Sequence, residues 1–256
     1  QNMAGTALGL SARGMIPFVS TFAAFFTRAF DQIRMTAYSG GNVKFMGSHA
    51  GVSIGEDGPS QMGLEDISLF RSVYGSVVLN PADAVSCEKL VFEAAKHEGI
   101  IYIRTARPAT PVIYDGNEEF KIGGSKVVRS SKNDKFTIVA CGVALIEALK
   151  AADELAKKEI SVRVIDAYSI KPIDEATIIQ AAKDAGAVVT VEEHQVAGGM
   201  GSAVAEVLAK NYPAPIEFIG VQNRFGESGS PSELLEHFGM GVTHIMAAIK
   251  KVIDRK

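Results

Sequence analysis

Short apolar runs alternate with segments of helical period twice along this 256-residue chain, and that alternation restricts the fold more than any other feature. "MIPFVST" (15–21), "VKFMGS" (43–48), "SVVLNPA" (76–82) and "IIYIRTAR" (100–107) read as strands, with helices over 22–40, 64–73 and 83–99 between them. A further helix opens the chain and closes at Gly14. Strands that are apolar on both faces and separated by helices pair in parallel and need cover on both sides. The pattern resumes with strands over 136–143, 162–168, 187–193 and 216–222. Helices over 144–158 and 174–185, one after the glycine-rich turn 197–201, and closing helices complete this second half. Between the halves lies "PATPVIYDGNEEFKIGGSKVVRSSKNDK" (108–135), to which no helix can be fitted; it reads as a linker with a short hairpin. The expected architecture is two three-layer α/β/α domains with mostly parallel sheets, residues 1–120 and 121–256.

The chain starts inside a helical pattern, without an N-cap and without Met, and so reads as a fragment of a longer polypeptide. A net charge of −3, with no block of like charge, argues against nucleic-acid or anionic-membrane partners. No apolar run exceeds strand length, so no signal peptide or membrane span is expected. Cys87 and Cys141, the two cysteines, fall in apolar elements and read as free buried thiols in a reducing cytoplasm.

Chemistry in a parallel sheet gathers beyond the carboxyl ends of its strands. "GSHAGVSIGEDGPSQM" (47–62) stands at such an end, with His49, Glu56, Asp57 and Gln61 among four glycines. Glycine loses more backbone freedom on folding than any other residue, so such a loop is costly to order. His49 reads equally well as a strand-end cap and as a ligand group. Asp57-Gly58-Pro59 also satisfies a plain turn. Either acid of the loop could hold glycine amides while the other faces a ligand, and Gln61 could cap the helix that follows. Arg107 is a candidate anion clamp, because a guanidinium fork matches phosphate, and Arg104 rivals it. Phe22, Phe25, Phe26 and Phe30 make an aromatic stripe at helical spacing; such stripes are usually core, yet a ring at the helix start can stack on a heteroaromatic ligand. "EEHQ" (192–195) is no metal site by spacing, since neighbours on a strand point to opposite faces. "GGMG" (198–201) reads as a tight turn rather than a dinucleotide fingerprint.

The residues themselves resemble a known family. "STFAAFFTRAFDQIRM" (20–35), "GSHAGVSIGEDGPSQMGLEDISLFRS" (47–72), "YIRTARP" (102–108), "IDAYSIKPID" (165–174) and "VEEHQVAGGMGSAVAE" (191–206) are similar to transketolase. The likeness covers essentially the whole chain and corresponds to that family's pyrimidine-binding domain followed by its C-terminal domain. Deoxyxylulose-phosphate synthases share parts of these motifs but lack "SHAGVS", so His49 favours transketolase.

The resemblance implies transfer of a two-carbon ketol unit from a ketose phosphate to an aldose phosphate in the pentose phosphate pathway, with thiamine diphosphate and magnesium or calcium. It implies that Phe25 stacks on the cofactor's aminopyrimidine, with Phe22 in the same pocket and Gln61 near the reactive region. His49 and Asp57 would hold the donor's hydroxyls, His49 being the catalytic candidate, and Arg107 would grip the sugar phosphate. Two departures matter. The family's essential glutamate precedes "QNM", and the chain begins at Gln1; the motif that binds the diphosphate and metal is not present, so no metal ligand is expected here. The chain is therefore expected to need an N-terminal transketolase domain or subunit, to use a homodimer-type interface, and to be inactive alone. The missing glutamate favours a fragment over a split-enzyme subunit. Half of a deoxyxylulose-phosphate synthase, or a non-catalytic interaction module of the same fold, are the alternatives.

Overall fold

A computed structural model describes all 256 residues. It contains two mostly parallel five-stranded sheets flanked by helices, in agreement with the expected α/β class. In the first half the order is α1 (Asn2–Ser11), β1 (Phe18–Phe22), α2 (Phe30–Tyr38), β2 (Lys44–Ser48), α3 (Asp66–Ser72), β3 (Val77–Leu79), α4 (Ala84–Lys96) and β4 (Ile101–Arg104). Then come β5 (Lys126–Arg129), β6 (Thr137–Ala140), α5 (Ala144–Ala156), β7 (Arg163–Asp166), β8 (Ser169–Lys171) and α6 (Glu175–Ala185). The chain ends with β9 (Val188–Gln195), α7 (Met200–Asn211), β10 (Ile216–Val221), α8 (Pro231–His237) and α9 (Val242–Ile253). No helix is long and apolar enough to cross a membrane.

The first sheet has the order β1-β2-β4-β3-β8 and the second β10-β9-β6-β7-β5. The apolar runs VVL, IYIR and TIVA are wholly buried in β3, β4 and β6, as strands covered on both faces must be. Local chemistry starts several helices. Asp83 closes a capping box with Ser86 at the head of α4, Asp174 accepts from Thr177 N at α6, and Ser230 with Glu233 caps α8.

Four details differ from the sequence reading. The first strand runs 18–22 and is an open edge rather than buried, with Met15 and Ile16 before it 55% and 46% exposed, because β2 covers only one of its sides. Residues Ala23–Ala29 form a 3-10 helix, and only Phe30–Tyr38 is α-helical. No hairpin forms in 108–135: β5 pairs antiparallel with β7 instead. Lastly, β8, from the second half, adds antiparallel to β3 and completes the first sheet.

That strand ties the halves together. Lys171 Nζ donates to the carbonyls of Arg71 (2.9 Å) and Val73 (2.6 Å) at the end of α3. The largest buried apolar cluster, 27 residues, mixes Phe26, Phe45 and Tyr102 with Val139, Val204 and Leu208, so the two halves bury one common core. Both cysteines are free, Cys141 buried and Cys87 half-buried.

Candidate functional site

The carboxyl end of β2 hands the chain directly to the glycine-rich loop. The first residues of that loop stay registered with the sheet, since Ala50 N donates to Thr105 O (3.1 Å) and Gly51 N to Gly63 O (2.9 Å). His49, the first residue out, is held at φ 57°, a left-handed conformation in which histidine is among the better tolerated residues. Its ring stacks on Phe22 with centroids 4.0 Å apart and planes 11° from parallel. Phe22 in turn stacks on Phe25 at 5.4 Å and 4°. The 3-10 winding after β1 explains this pair: three residues per turn bring positions i and i+3 into line. Phe26, next along, turns inward and meets Phe45, Phe70 and Tyr102 edge-on in the core. The aromatic stripe therefore divides, Phe26 to the core and Phe25 outward with a ring 48% exposed.

His49 Nδ1 lies 2.9 Å from Ser48 Oγ, whose hydroxyl points at Thr21 O (3.4 Å). With the Ser48 hydroxyl donating to Thr21 O, the tautomer that completes the chain carries its proton on Nδ1 and has Nε2 as an acceptor. Across the loop, Arg107 Nη1 donates to Asp57 Oδ1 (3.0 Å) and to Ile54 O (2.9 Å). Both side chains of this pair are partly in solvent, 44% and 30% exposed, so its contribution to stability is under about 1 kcal/mol. Phe22, Phe25 and His49 thus form one stack, while Asp57, farther along the same loop, pairs with Arg107 from the segment after β4. Gln61 is half-buried, and its backbone N–H closes a turn on Gly58 O (3.2 Å). It does not cap α3, which begins at Asp66 after Glu65.

Arg104 is not a rival anion clamp. It is 3% exposed and its Nε donates to Asp66 Oδ2 at 2.7 Å, while Nη2 donates to Gly63 O (2.9 Å) and Glu193 O (2.8 Å). Asp66 also accepts from Tyr102 OH (2.6 Å), and His194 Nε2 lies 3.9 Å from its other oxygen. Although burial opposes ionisation, Arg104 and His194 hold the Asp66 carboxyl below its ordinary value. Sequence reasoning missed this centre. Its signal was Asp66 and Arg104, charges inside apolar elements, which are rarely buried unless paired.

The acid that holds the loop's amides also comes from elsewhere. Glu56 is exposed, and the carboxylate bound to Ser53 N and to Ser53 Oγ (3.0 Å) is that of Glu193 on β9. Its neighbour Glu192 points the other way and accepts from Met200 N (2.6 Å) and Gly201 N (2.8 Å) at the start of α7. No three metal-binding side chains converge anywhere in the chain.

Burial pushes the carboxyls of Asp166, Glu192 and Glu193 up to about 7. Between about pH 4 and 7 the folded state binds a proton at each that the unfolded chain has lost. This stabilisation is complete below about 4 and is gone once pH has risen through 7, where the ionised Glu192 and Glu193 carboxylates accept the hydrogen bonds just described. His194 opposes them: burial lowers it to about 4, and its contribution, present above 6.5, is lost on acidification. Three groups against one make stability fall between pH 6 and pH 7.5, by up to about 1.4 kcal/mol per unit for each proton. The expected result is a urea midpoint higher at pH 6 than at pH 7.5, with a shallower dependence in Glu192→Gln. A midpoint that rises over this range would show these carboxyls to be ionised in the fold.

Comparison with known proteins agrees with this architecture. Residues 1–112 match the transketolase pyrimidine-binding domain and residues 125–245 the transketolase C-terminal domain. Mouse transketolase-like protein 2 is 51% identical over 99% of this chain, and human transketolase 48% identical over 100% of this chain. The alignments take in 40% and 41% of those proteins, so the chain spans about two fifths of the length of these relatives. Among solved structures, one described as "Split gene transketolase, inactive beta4 tetramer" superposes with a TM-score of 0.92 at 42% identity, covering 99% of this chain and 81% of that one. Transketolase from Campylobacter jejuni gives 0.78 at 24% identity, over 97% of this chain and 38% of that one, a likeness of fold. Fold and matches together define an α/β protein made of a pyrimidine-binding domain and a transketolase C-terminal domain. The chain belongs to the transketolase family and corresponds to the C-terminal part of transketolase or transketolase-like proteins.

Proposed function

We propose that this chain forms half of a transketolase site, holding the aminopyrimidine of thiamine diphosphate and the sugar phosphates between which a two-carbon ketol unit passes. The observation that carries the reading is the Phe25–Phe22–His49 stack at the start of the glycine-rich loop, together with the ion pair that Asp57, on the same loop, makes with Arg107. The half-exposed Phe25 ring suits a planar heteroaromatic group, and Phe22 fixes its orientation from behind. When bound, the cofactor supplies a carbon acid that adds to a carbonyl and stabilises the charge left behind. His49 then offers Nε2 to a donor hydroxyl, Asp57 accepts from another, and Arg107 exchanges Asp57 for the sugar phosphate. Gln61 completes the cofactor side. Fixed groups of this kind contribute several kcal/mol through orientation alone.

The magnesium or calcium ion and the diphosphate belong, on this reading, to an N-terminal half. We also place the division between the two domains near residue 120, a reading supported by the gap between the matched regions 1–112 and 125–245. A cytoplasmic, dimer-type enzyme of the pentose phosphate pathway is the corresponding setting. The test is ketol transfer from xylulose 5-phosphate to ribose 5-phosphate. The chain alone is expected to give no turnover, and addition of an N-terminal half ending in the family's glutamate is expected to give thiamine-dependent turnover. The split-gene relative, an inactive tetramer, fits the first expectation. Turnover by the chain alone would refute the dependence on a partner. Silence of the pair would favour a non-catalytic module. Deoxyxylulose phosphate made from pyruvate and glyceraldehyde 3-phosphate would favour the synthase.

A further inference from the structure

The loop that carries His49 and Asp57 has almost no regular structure of its own, only a short 3-10 turn at Val52–Ile54. Fixing such a backbone costs about 1–2 kcal/mol per residue, so something must repay it. Glu193 lies 140 residues away, and its side chain, buried in the fold, ends against that turn. Ser53 N–H donates to one carboxylate oxygen and the Ser53 hydroxyl to the other, so both oxygens are used on one residue. Gly51, at φ 83°, passes so close that a Cβ there would collide with the carboxyl group. The far end of the loop is fastened to the same residue, because Arg104 Nη2 joins Gly63 O to Glu193 O. Other parts of the second half close over the middle: Gly58 packs on Ser228, Gly55 on Pro231 and Met62 on Gly226.

We propose that Glu193 is a positioning residue: its carboxylate sets the 51–54 turn and thereby the direction in which His49 and Asp57 leave the loop. This rests on the reading of His49 and Asp57 as site groups. It also gives the second half a role in the site, as the scaffold that shapes a loop of the first.

Two readouts test it, one of them independent of activity. In amide hydrogen exchange on the whole chain, Glu193→Ala is expected to speed exchange at 51–58 by about tenfold or more while β6 and β9 stay protected. Glu193→Gln, which still offers an acceptor to Ser53 N–H and a donor to its hydroxyl, restores most of the protection. Where Glu193→Ala does not fold, Ser53→Ala replaces it, removing one of the two bonds from the loop side. Unchanged exchange at 51–58, or an equal rise across both sheets, overturns the proposal. In the pair with an N-terminal half, Glu193→Ala is expected to raise KM for the ketose phosphate by about tenfold, with Glu193→Gln close to wild type. A KM unmoved while kcat falls also overturns it. A wild-type pair that transfers no ketol unit defeats the functional reading alone, and the exchange result still decides whether Glu193 holds the loop.

Discussion

Replacement of Arg104 by methionine is expected to lower the unfolding free energy by about 3–5 kcal/mol. The guanidinium is almost sealed from water and meets three acceptors at 2.7–2.9 Å: Asp66, Gly63 O and Glu193 O. Methionine fills much of the volume, so the effect is not a cavity but a buried carboxylate left with Tyr102 OH and a histidine 3.9 Å away. Tyr102 is itself locked, stacked on Phe70 with centroids 3.9 Å apart and planes 1° from parallel, and cannot move to compensate. Domains of ordinary stability hold about 5–15 kcal/mol in total, so this single change consumes a large share. The double variant Arg104→Met/Asp66→Asn is expected to recover more than half, because it removes the stranded charge together with its partner. Urea unfolding measures both. The loss is expected to be smaller at pH 5 than at pH 8, since His194, whose protonation Arg104 opposes, can then supply the positive charge. A cost below about 1 kcal/mol in the single variant would mean that water reaches Asp66.

The parts of this molecule that were legible in the sequence are those set by local pattern. Continuous apolar runs such as Ile101–Arg104 and Thr137–Ala140 identify buried parallel strands, and the α/β class follows from their spacing. What escaped depends on partners distant in sequence. "SIK" of β8 is three residues long and becomes a strand only because β3, some ninety residues earlier, offers an open edge. The Phe22–Phe25 spacing fits both α and 3-10 winding, and the stacking that distinguishes them is tertiary. Glu193 is the clearest case. Its type and strand position were plain, and the alternation of faces separated it correctly from Glu192, but nothing in spacing pairs it with Ser53. Spacing alone also stopped short of chemistry: it marked the glycine-rich loop as costly and could not choose between a turn and a ligand cradle at Asp57. Family resemblance, carried by whole motifs, reached transketolase where spacing could not.

In the enzyme reconstituted with an N-terminal half, His49→Asn is expected to lower kcat/KM for ketol transfer by roughly 10²–10³. Asparagine is the informative substitute because residue 49 sits at φ 57°, where asparagine is tolerated and alanine adds about 1–2 kcal/mol of backbone strain. The variant keeps a polar side chain but gives up two things. It loses the Nε2 acceptor that the Ser48 contact leaves available, and it loses the ring that lies 4.0 Å over Phe22. These separate experimentally. If the stack matters more, thiamine diphosphate affinity falls along with activity, because Phe22 no longer orients Phe25. If the acceptor matters more, cofactor affinity holds and the loss falls on the ketose phosphate. The second outcome is the one expected: Asp57 and Arg107 are partly in solvent and pair only with each other and one carbonyl, so they are free to meet polar ligands, and Phe22 and Phe25 stack directly on each other without His49 between them. Folding stability should change by no more than about 1 kcal/mol, since the ring is only half-buried and closes no buried network. Activity within threefold of wild type in a stable His49→Asn variant would remove His49 from the site and leave it as the strand-end cap that its position also permits.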